Sequence, residues 1–417
     1  MKLLVALIFS SILVVVCSKV SYRGAQVLTL NPGNENERDI VRELQVKYKL
    51  RFWRDPRRHN GPVDLQVPSD ELLTVKQLLV LNRMSFEVAI DDLQESILAQ
   101  VSPREAQFTL ADFDYNKYHT FAEITAWTAN FAKAHSKYVT RIKVGTTYEN
   151  RTFYALKIST GGSGKKAFAL DCGIHADEWI GPATCIHVIK NLTESIGTSG
   201  LVGDLLKDVD FYLIPSSNPD GYVYSWQSDR MWRKTRSPTS GNCFGVDPNR
   251  NWDSNFAGNG SSNDPCSDDY HGPHAWSEAN VRAQRDFVNG IENLQGYIDI
   301  HSFSQLWMFP YGYTYKHARD YELLSKIASE SVAAIKSVHG VVYTPGPIAE
   351  VIYVASGSTA DYFYDHLKLR CVFAAELRDK GQHGMLLPES EIQPTAEEIF
   401  AGLLVIARNI REGNCAL

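Results

Sequence analysis

Apolar positions fall into two rhythms along this chain. Continuous short runs at Ala167–Leu170, Val209–Pro215, Gly296–His301 and Cys371–Leu377 have the length of buried strands, and Thr140–Ser159 reads as a hairpin. Between them, apolar residues recur at helical spacing over Phe121–Ser136, Gly181–Glu194, Glu278–Glu292, Tyr321–His339 and Thr359–His366. A closing helix carries Ile399, Leu403, Ile406 and Ile410 inward; Thr395 and Glu398 have the spacing of a capping box, and Gly413 stops it. Asn218 to Gly221 reads as a turn. Strands alternating with helices predict an α/β unit: a mixed, mostly parallel sheet with helices on both faces. Ahead of it, Lys19 to Val101 is charged and less regular. A strand is expected at Phe52–Arg54, a helix at Glu71–Leu81 with Leu72, Leu73, Val75, Leu78 and Leu79 inward, and a strand at Phe86–Ile90, which makes a small α+β unit. Ser225 to Gly272 has little periodicity, and irregular stretches of that length inside a compact domain are usually functional.

Composition narrows the classes. With 44% hydrophobic and 22% charged residues over 417 positions the chain is globular, and a net charge of −6 argues against nucleic acid as a partner. Residues 1–18, with Lys2 ahead of the apolar run Leu3–Val16, read as a secretory signal peptide; the run is too short for a membrane span, and no later stretch approaches one. Secretion permits disulfides. Cys172 and Cys185 flank one conspicuous motif and Cys243 and Cys266 bracket a polar loop, so each pair would close a short loop, although spacing proves neither; Cys371 and Cys415 pair or stay free. Sequons at Asn150, Asn191 and Asn259 fit the same compartment.

The conspicuous motif is Asp171–Ile180, where His175 and Glu178 form an H-x-x-E pair on the turn leaving an apolar strand. An imidazole nitrogen and a carboxylate oxygen suit Zn²⁺, and a catalytic zinc takes three protein ligands with a fourth position open. His301, ending another apolar run, is the candidate third ligand.

Further motifs stand in a fixed order: Asp229–Ser237, then Gly245–Asp253, then Ala375–Asp379. Together with His175, Glu178 and His301 they resemble the secreted zinc metallocarboxypeptidases of the pancreatic A/B type, over nearly the whole chain. The resemblance implies a carboxypeptidase-type catalytic domain over 105–417, preceded by an activation prodomain over 19–104 that covers the cleft, with Arg104 in an exposed linker as the cut site for a trypsin-like protease. It implies one Zn²⁺ per chain held by His175, Glu178 and His301, with Asp247 orienting His175. Glu376 would be the general base and Arg233 the cation facing the oxyanion. Asn249 and Arg250 would clamp the substrate's C-terminal carboxylate, Arg230 would be a further substrate-binding residue, and Tyr353 would close over bound substrate. Peptide or protein C-termini are the implied substrates, and proteinaceous carboxypeptidase inhibitors the implied further partners.

The resemblance implies that residue preference depends on a pocket to whose wall Ala360, Gly312 and Ile348 would belong. Basic-specific members of the family carry an acid where Ala360 stands, and a small neutral residue offers no counter-ion to a buried Lys or Arg. Neutral aliphatic or aromatic C-terminal residues are therefore expected; basic or acidic preference, or a catalytically silent secreted binding protein, are the alternatives. Two positions depart from the family's pattern. Asp177 replaces the usual Arg of the ligand motif, which puts the upstream subsites in question, and Phe303 stands where Tyr is common.

Overall fold

The computed structural model describes residues 19–57, 61–100 and 113–416. The expected signal peptide, Arg104 and the 104/105 boundary lie outside the described residues.

The first unit comprises β1 (Gln26–Leu30), α1 (Glu35–Tyr48), β2 (Arg51–Arg54), β3 (Val63–Val67), α2 (Leu72–Leu81), β4 (Phe86–Ile90) and α3 (Leu93–Gln100). Its four strands form an antiparallel sheet ordered β2-β3-β1-β4. Asn34 caps α1 by accepting from the Glu37 amide, and Val41 and Leu44 then meet Leu28, Leu65, Val75 and Leu79 in one core. Leu73 does not face that core: it is 70% exposed, because α2 turns only Val75 and Leu79 fully inward.

The second unit contains α4 (Phe121–Ala134), β5 (Val139–Thr146), β6 (Thr152–Ile158), β7 (Lys166–Cys172), α5 (Ile180–Glu194), α6 (Leu201–Asp208), β8 (Val209–Ile214) and α7 (Pro219–Gln227). It continues through α8 (Ala279–Asn289), β9 (Leu294–His301), β10 (Leu306–Phe309), α9 (Tyr321–His339), β11 (Thr344–Pro347), α10 (Ile348–Val351), α11 (Thr359–His366), β12 (Cys371–Glu376) and α12 (Ile392–Glu412). Eight strands form a mixed sheet ordered β11-β10-β12-β9-β7-β8-β6-β5, whose centre, β12-β9-β7-β8, is parallel. Strands covered on both faces need continuous apolar runs, and β7 accordingly buries every residue from Ala167 to Cys172. α12 packs on α9 and α5, with Ile399, Leu403, Ile406 and Ile410 buried.

Two local expectations give way to tertiary contacts. The closing helix starts at Ile392, so Thr395 lies inside it and its hydroxyl donates to the Glu391 carbonyl, while Glu398 pairs with Arg378 rather than completing a capping box. The expected turn at Asn218 is instead the N-cap of α7, with Pro219 in the first turn. Disulfides join Cys243 to Cys266 and Cys371 to Cys415. Cys172 and Cys185, the other expected pair, are buried free thiols: they face each other across the packing of β7 on α5 as hydrogen-bonded neighbours, with burial pushing the Cys172 thiol up. Among the described residues no helix is long and apolar enough to cross a membrane.

Candidate active site

Parallel register assembles the site. Glu376 at the end of β12 pairs with His301 at the end of β9, and Cys172 at the end of β7 pairs with Ile300. The turn after β7 then carries His175 and Glu178 back over the carboxyl edge of the sheet, where ligands of open α/β sheets bind.

His175, Glu178 and His301 are buried, and each offers a ligand atom within 4.8 Å of the others. His175 Nδ1 lies 2.7 Å from Glu178 Oε1 and 3.1 Å from His301 Nδ1, and His301 Nδ1 lies 3.3 Å from Glu178 Oε2. Both imidazoles thus turn Nδ1 to a common point, and a carboxylate fixes each opposite nitrogen. Asp247 Oδ1 is 3.2 Å from His175 Nε2, and Asp299 Oδ2 is 2.8 Å from His301 Nε2. Carboxylates behind both imidazoles are the support that metal-ligating histidines usually have. The charge balance also fits a cation. Burial opposes ionisation of His301, yet Asp299 and Glu178 hold its pKa well above the usual imidazole range; Glu178 is lowered against its own burial by the two histidines. Two nitrogens and one carboxylate converging under such a field suit Zn²⁺.

Arg233 binds Asp247 Oδ2 through Nε and Nη2 at 3.2 and 3.0 Å, and Nη1 lies 3.6 Å from Glu178. Burial alone would raise Asp247, but Arg233, Arg250 and His175 hold it well below the usual carboxylate range. Glu376 Oε2 is buried with no hydrogen-bond partner among the described residues; burial, then the Glu178 anion, push this carboxyl up to about 8.

A cavity of about 930 Å³ joins these groups to Asn249, Arg250, Tyr353, Ile348 and Ala360. Two expected residues lie off its wall. Gly312 sits behind Ile348, where an added Cβ would come within 3.3 Å of Ile348 Cγ2. Arg230 is buried in the interface between the two units: its guanidinium stacks 3.8 Å from the Trp179 ring and donates to Gln100, to the Asp177 carbonyl and to the Met385 carbonyl. That set of partners, not a position on the cavity wall, explains its placement.

The first unit closes the cavity from above with β2 and the turn after it. Trp53 meets Phe303 edge-on, Arg54 donates to the Lys380 carbonyl, and the Arg57 guanidinium lies 4.7 Å over the Tyr353 ring. Gly384, with φ +55°, lets Trp53 approach so closely that an added Cβ would stand 2.7 Å from its ring. Sequence reasoning missed Asp299, although it precedes His301 by two positions on a strand and so shares its face. It also missed that Asp177 is paired, because the partner, Arg51, is 126 residues away.

Beside the pocket, Asp361 accepts from the amides of Gly312 and Tyr313 at 2.9–3.1 Å, yet burial pushes its carboxyl up to about 7. The folded protein therefore keeps a proton that the unfolded chain gives up near pH 4. The stability contributed by this proton is complete below that value and falls by about 4 kcal/mol as pH rises to 7. Asp361→Asn cannot titrate, so the stability of the variant relative to the parent, from urea unfolding, should rise between pH 4 and 7; a constant offset across that range would refute the assignment.

Buried imidazoles and a carboxylate around one point, with arginines beside them, suit metal-dependent hydrolysis. Comparison with known proteins narrows that class: the chain belongs to the zinc carboxypeptidase family, whose pattern matches residues 124–402, and residues 28–100 match the carboxypeptidase activation peptide. It is 41% identical to mouse (Mus musculus) carboxypeptidase A4 over 95% of this chain and 96% of that protein, and 40% identical to mouse carboxypeptidase A1 over 96% and 97%. Among solved structures, thrombin activatable fibrinolysis inhibitor superposes with a TM-score of 0.88 at 36% identity, over 94% of this chain and all of that one. The bovine form in complex with tick carboxypeptidase inhibitor is 40% identical, with a TM-score of 0.68 over 72% of this chain and 99% of that one. The protein is a zinc carboxypeptidase made with an activation peptide.

Proposed function

We propose that the chain is the secreted zymogen of a carboxypeptidase that releases neutral aliphatic or aromatic C-terminal residues. A trypsin-like protease would cut near Arg104, separating a prodomain over 19–104 from a catalytic domain over 105–417. Two disulfides, and the apolar run Leu3–Val16 behind Lys2, support export to an oxidising compartment.

One observation carries the residue preference: Ala360 shares the cavity wall with Ile348, Met308 and Ala374, while the adjacent acid, Asp361, spends its oxygens on backbone amides. A Lys or Arg side chain there would be buried without a counter-ion.

The roles follow from chemistry. Arg250, braced through Nε to the Gly260 carbonyl and through Nη1 to the Asn249 carbonyl, binds the substrate's terminal carboxylate with Asn249. Tyr353, freed when Arg57 leaves with the prodomain, closes over the bound residue and excludes water. Glu376, whose ionised form a cation bound between His175, Glu178 and His301 would favour, takes a proton from the attacking water and delivers it to the leaving amine. Arg233, fixed by Asp247, faces the oxyanion that develops at the scissile carbonyl. His175, Glu178 and His301 would hold Zn²⁺, which would supply Lewis acidity to the reaction. Once uncovered, the same cleft is open to a proteinaceous carboxypeptidase inhibitor.

Peptides differing only in their last residue test the pocket. The trypsin-activated protein should hydrolyse those ending in Phe or Leu at least about tenfold faster, as kcat/KM, than those ending in Lys or Glu. Preference for Lys would remove Ala360 from the role given to it.

A further inference from the structure

Arg51 of β2 reaches into the cleft and is held there from three sides. Its Nη2 lies 2.7 Å from Asp177 Oδ2, its Nε lies 2.8 Å from Asp268 Oδ2, and Nη1 donates to the Met231 carbonyl. All three partners, two through hydrogen bonds and Asp268 through an ion pair, belong to the catalytic unit, so they remain when the prodomain departs. Asp177 is fully buried, and its Oδ1 has no hydrogen-bond partner among the described residues. The neighbouring arginines do not replace Arg51: Arg233 is engaged by Asp247, and Arg230 donates to the backbone carbonyl of Asp177, not to its carboxylate. Asp268, half exposed, follows Cys266 by two residues, so the disulfide to Cys243 tethers the loop that carries it.

We propose that Asp177, Asp268 and the Met231 carbonyl form a cation-accepting subsite in the activated enzyme, which selects substrates carrying Arg or Lys upstream of the scissile bond. A guanidinium already fits this cradle, and taking Arg51 away leaves the Asp177 carboxylate without its ion-pair partner, which a substrate cation restores. The direction follows from the chemistry of an exopeptidase. Nothing extends beyond the C-terminal residue, whose carboxylate and side chain are taken by Arg250 and the Ala360 pocket, so any other subsite must receive a residue N-terminal to the cut. The prodomain thus holds its own arginine where the substrate's would go. This inference rests on the carboxypeptidase reading above and adds a second specificity element to it.

The test uses the zinc-loaded full chain, activated with trypsin that is then removed. Its substrates are peptides ending in Phe, with Arg, Gln or Glu at each of the three positions preceding that residue. At one position, kcat/KM should favour Arg over Glu by at least about tenfold, carried mainly by KM, with Gln between. Within each variant the Arg-to-Glu ratio is an internal measure: Asp177→Asn should bring it near unity, and Asp268→Asn should lower it if the first variant does not fold. Hydrolysis of all these peptides by the parent enzyme with no dependence on upstream charge would overturn the subsite and leave the carboxypeptidase reading standing. Failure to hydrolyse any of them would overturn both.

Discussion

Glu376→Gln is expected to lower kcat by roughly 10²- to 10⁴-fold, the usual loss when a positioned general base is removed. The replacement keeps the shape and loses the ability to take a proton. Glu376 Oε2 has no hydrogen-bond partner among the described residues, so an amide nitrogen there breaks no hydrogen bond of that atom, and the register with His301 fixes the backbone from which the side chain projects. Zinc content should stay at one per chain, and KM should change far less than kcat. A variant that keeps more than about a tenth of the parent rate would remove Glu376 from the proton transfer.

Taking the metal away should be at least as severe. A chelator strong enough to strip zinc should reduce hydrolysis to background, and stoichiometric Zn²⁺ should restore it. His301→Ala should not be restored, because the remaining His175 and Glu178 leave the ion without its third protein ligand. Asp299→Asn offers a graded version. It keeps a partner for His301 Nε2 without the anion behind it, and zinc affinity should fall by roughly 10- to 100-fold. Metal content measured beside activity separates these cases, and full activity in metal-free enzyme would end the metal-dependent account.

Much of the catalytic unit was legible in its sequence because buried parallel strands are written as unbroken apolar runs. Ala167–Leu170 marks β7 and thereby the turn that bears His175 and Glu178. The first unit was harder to read. α1 was missed because its inward stripe, Val41 and Leu44, is sparse among charged residues, although Asn34 gives its start. At α12 the capping pattern misled because Thr395 and Glu398 satisfy their hydrogen bonds elsewhere, with Glu391 and Arg378. Within the site, the residue types with a demanding chemistry stood out: two histidines, two glutamates and the arginines of the polar loops. What stayed hidden depends on contacts between distant parts of the chain. Asp177 reads as an unexplained change of sign until Arg51 is found against it, and nothing in the spacing of Cys371 and Cys415 announces their bond. The free thiols at Cys172 and Cys185 show the same limit from the other side, since closeness in sequence did not become a crosslink.

The pairing of Glu376 with His301 across β12 and β9 has a bearing on how such a protein can diverge. Glu376 and His301 project from the ends of two central strands, while His175 and Glu178 stand on the turn that leaves a third. Ile348, Tyr353 and Ala360, by contrast, come from two short helices and the segment linking them. Single replacements in that segment therefore reshape the cavity wall without touching the strand pair that carries Glu376 and His301.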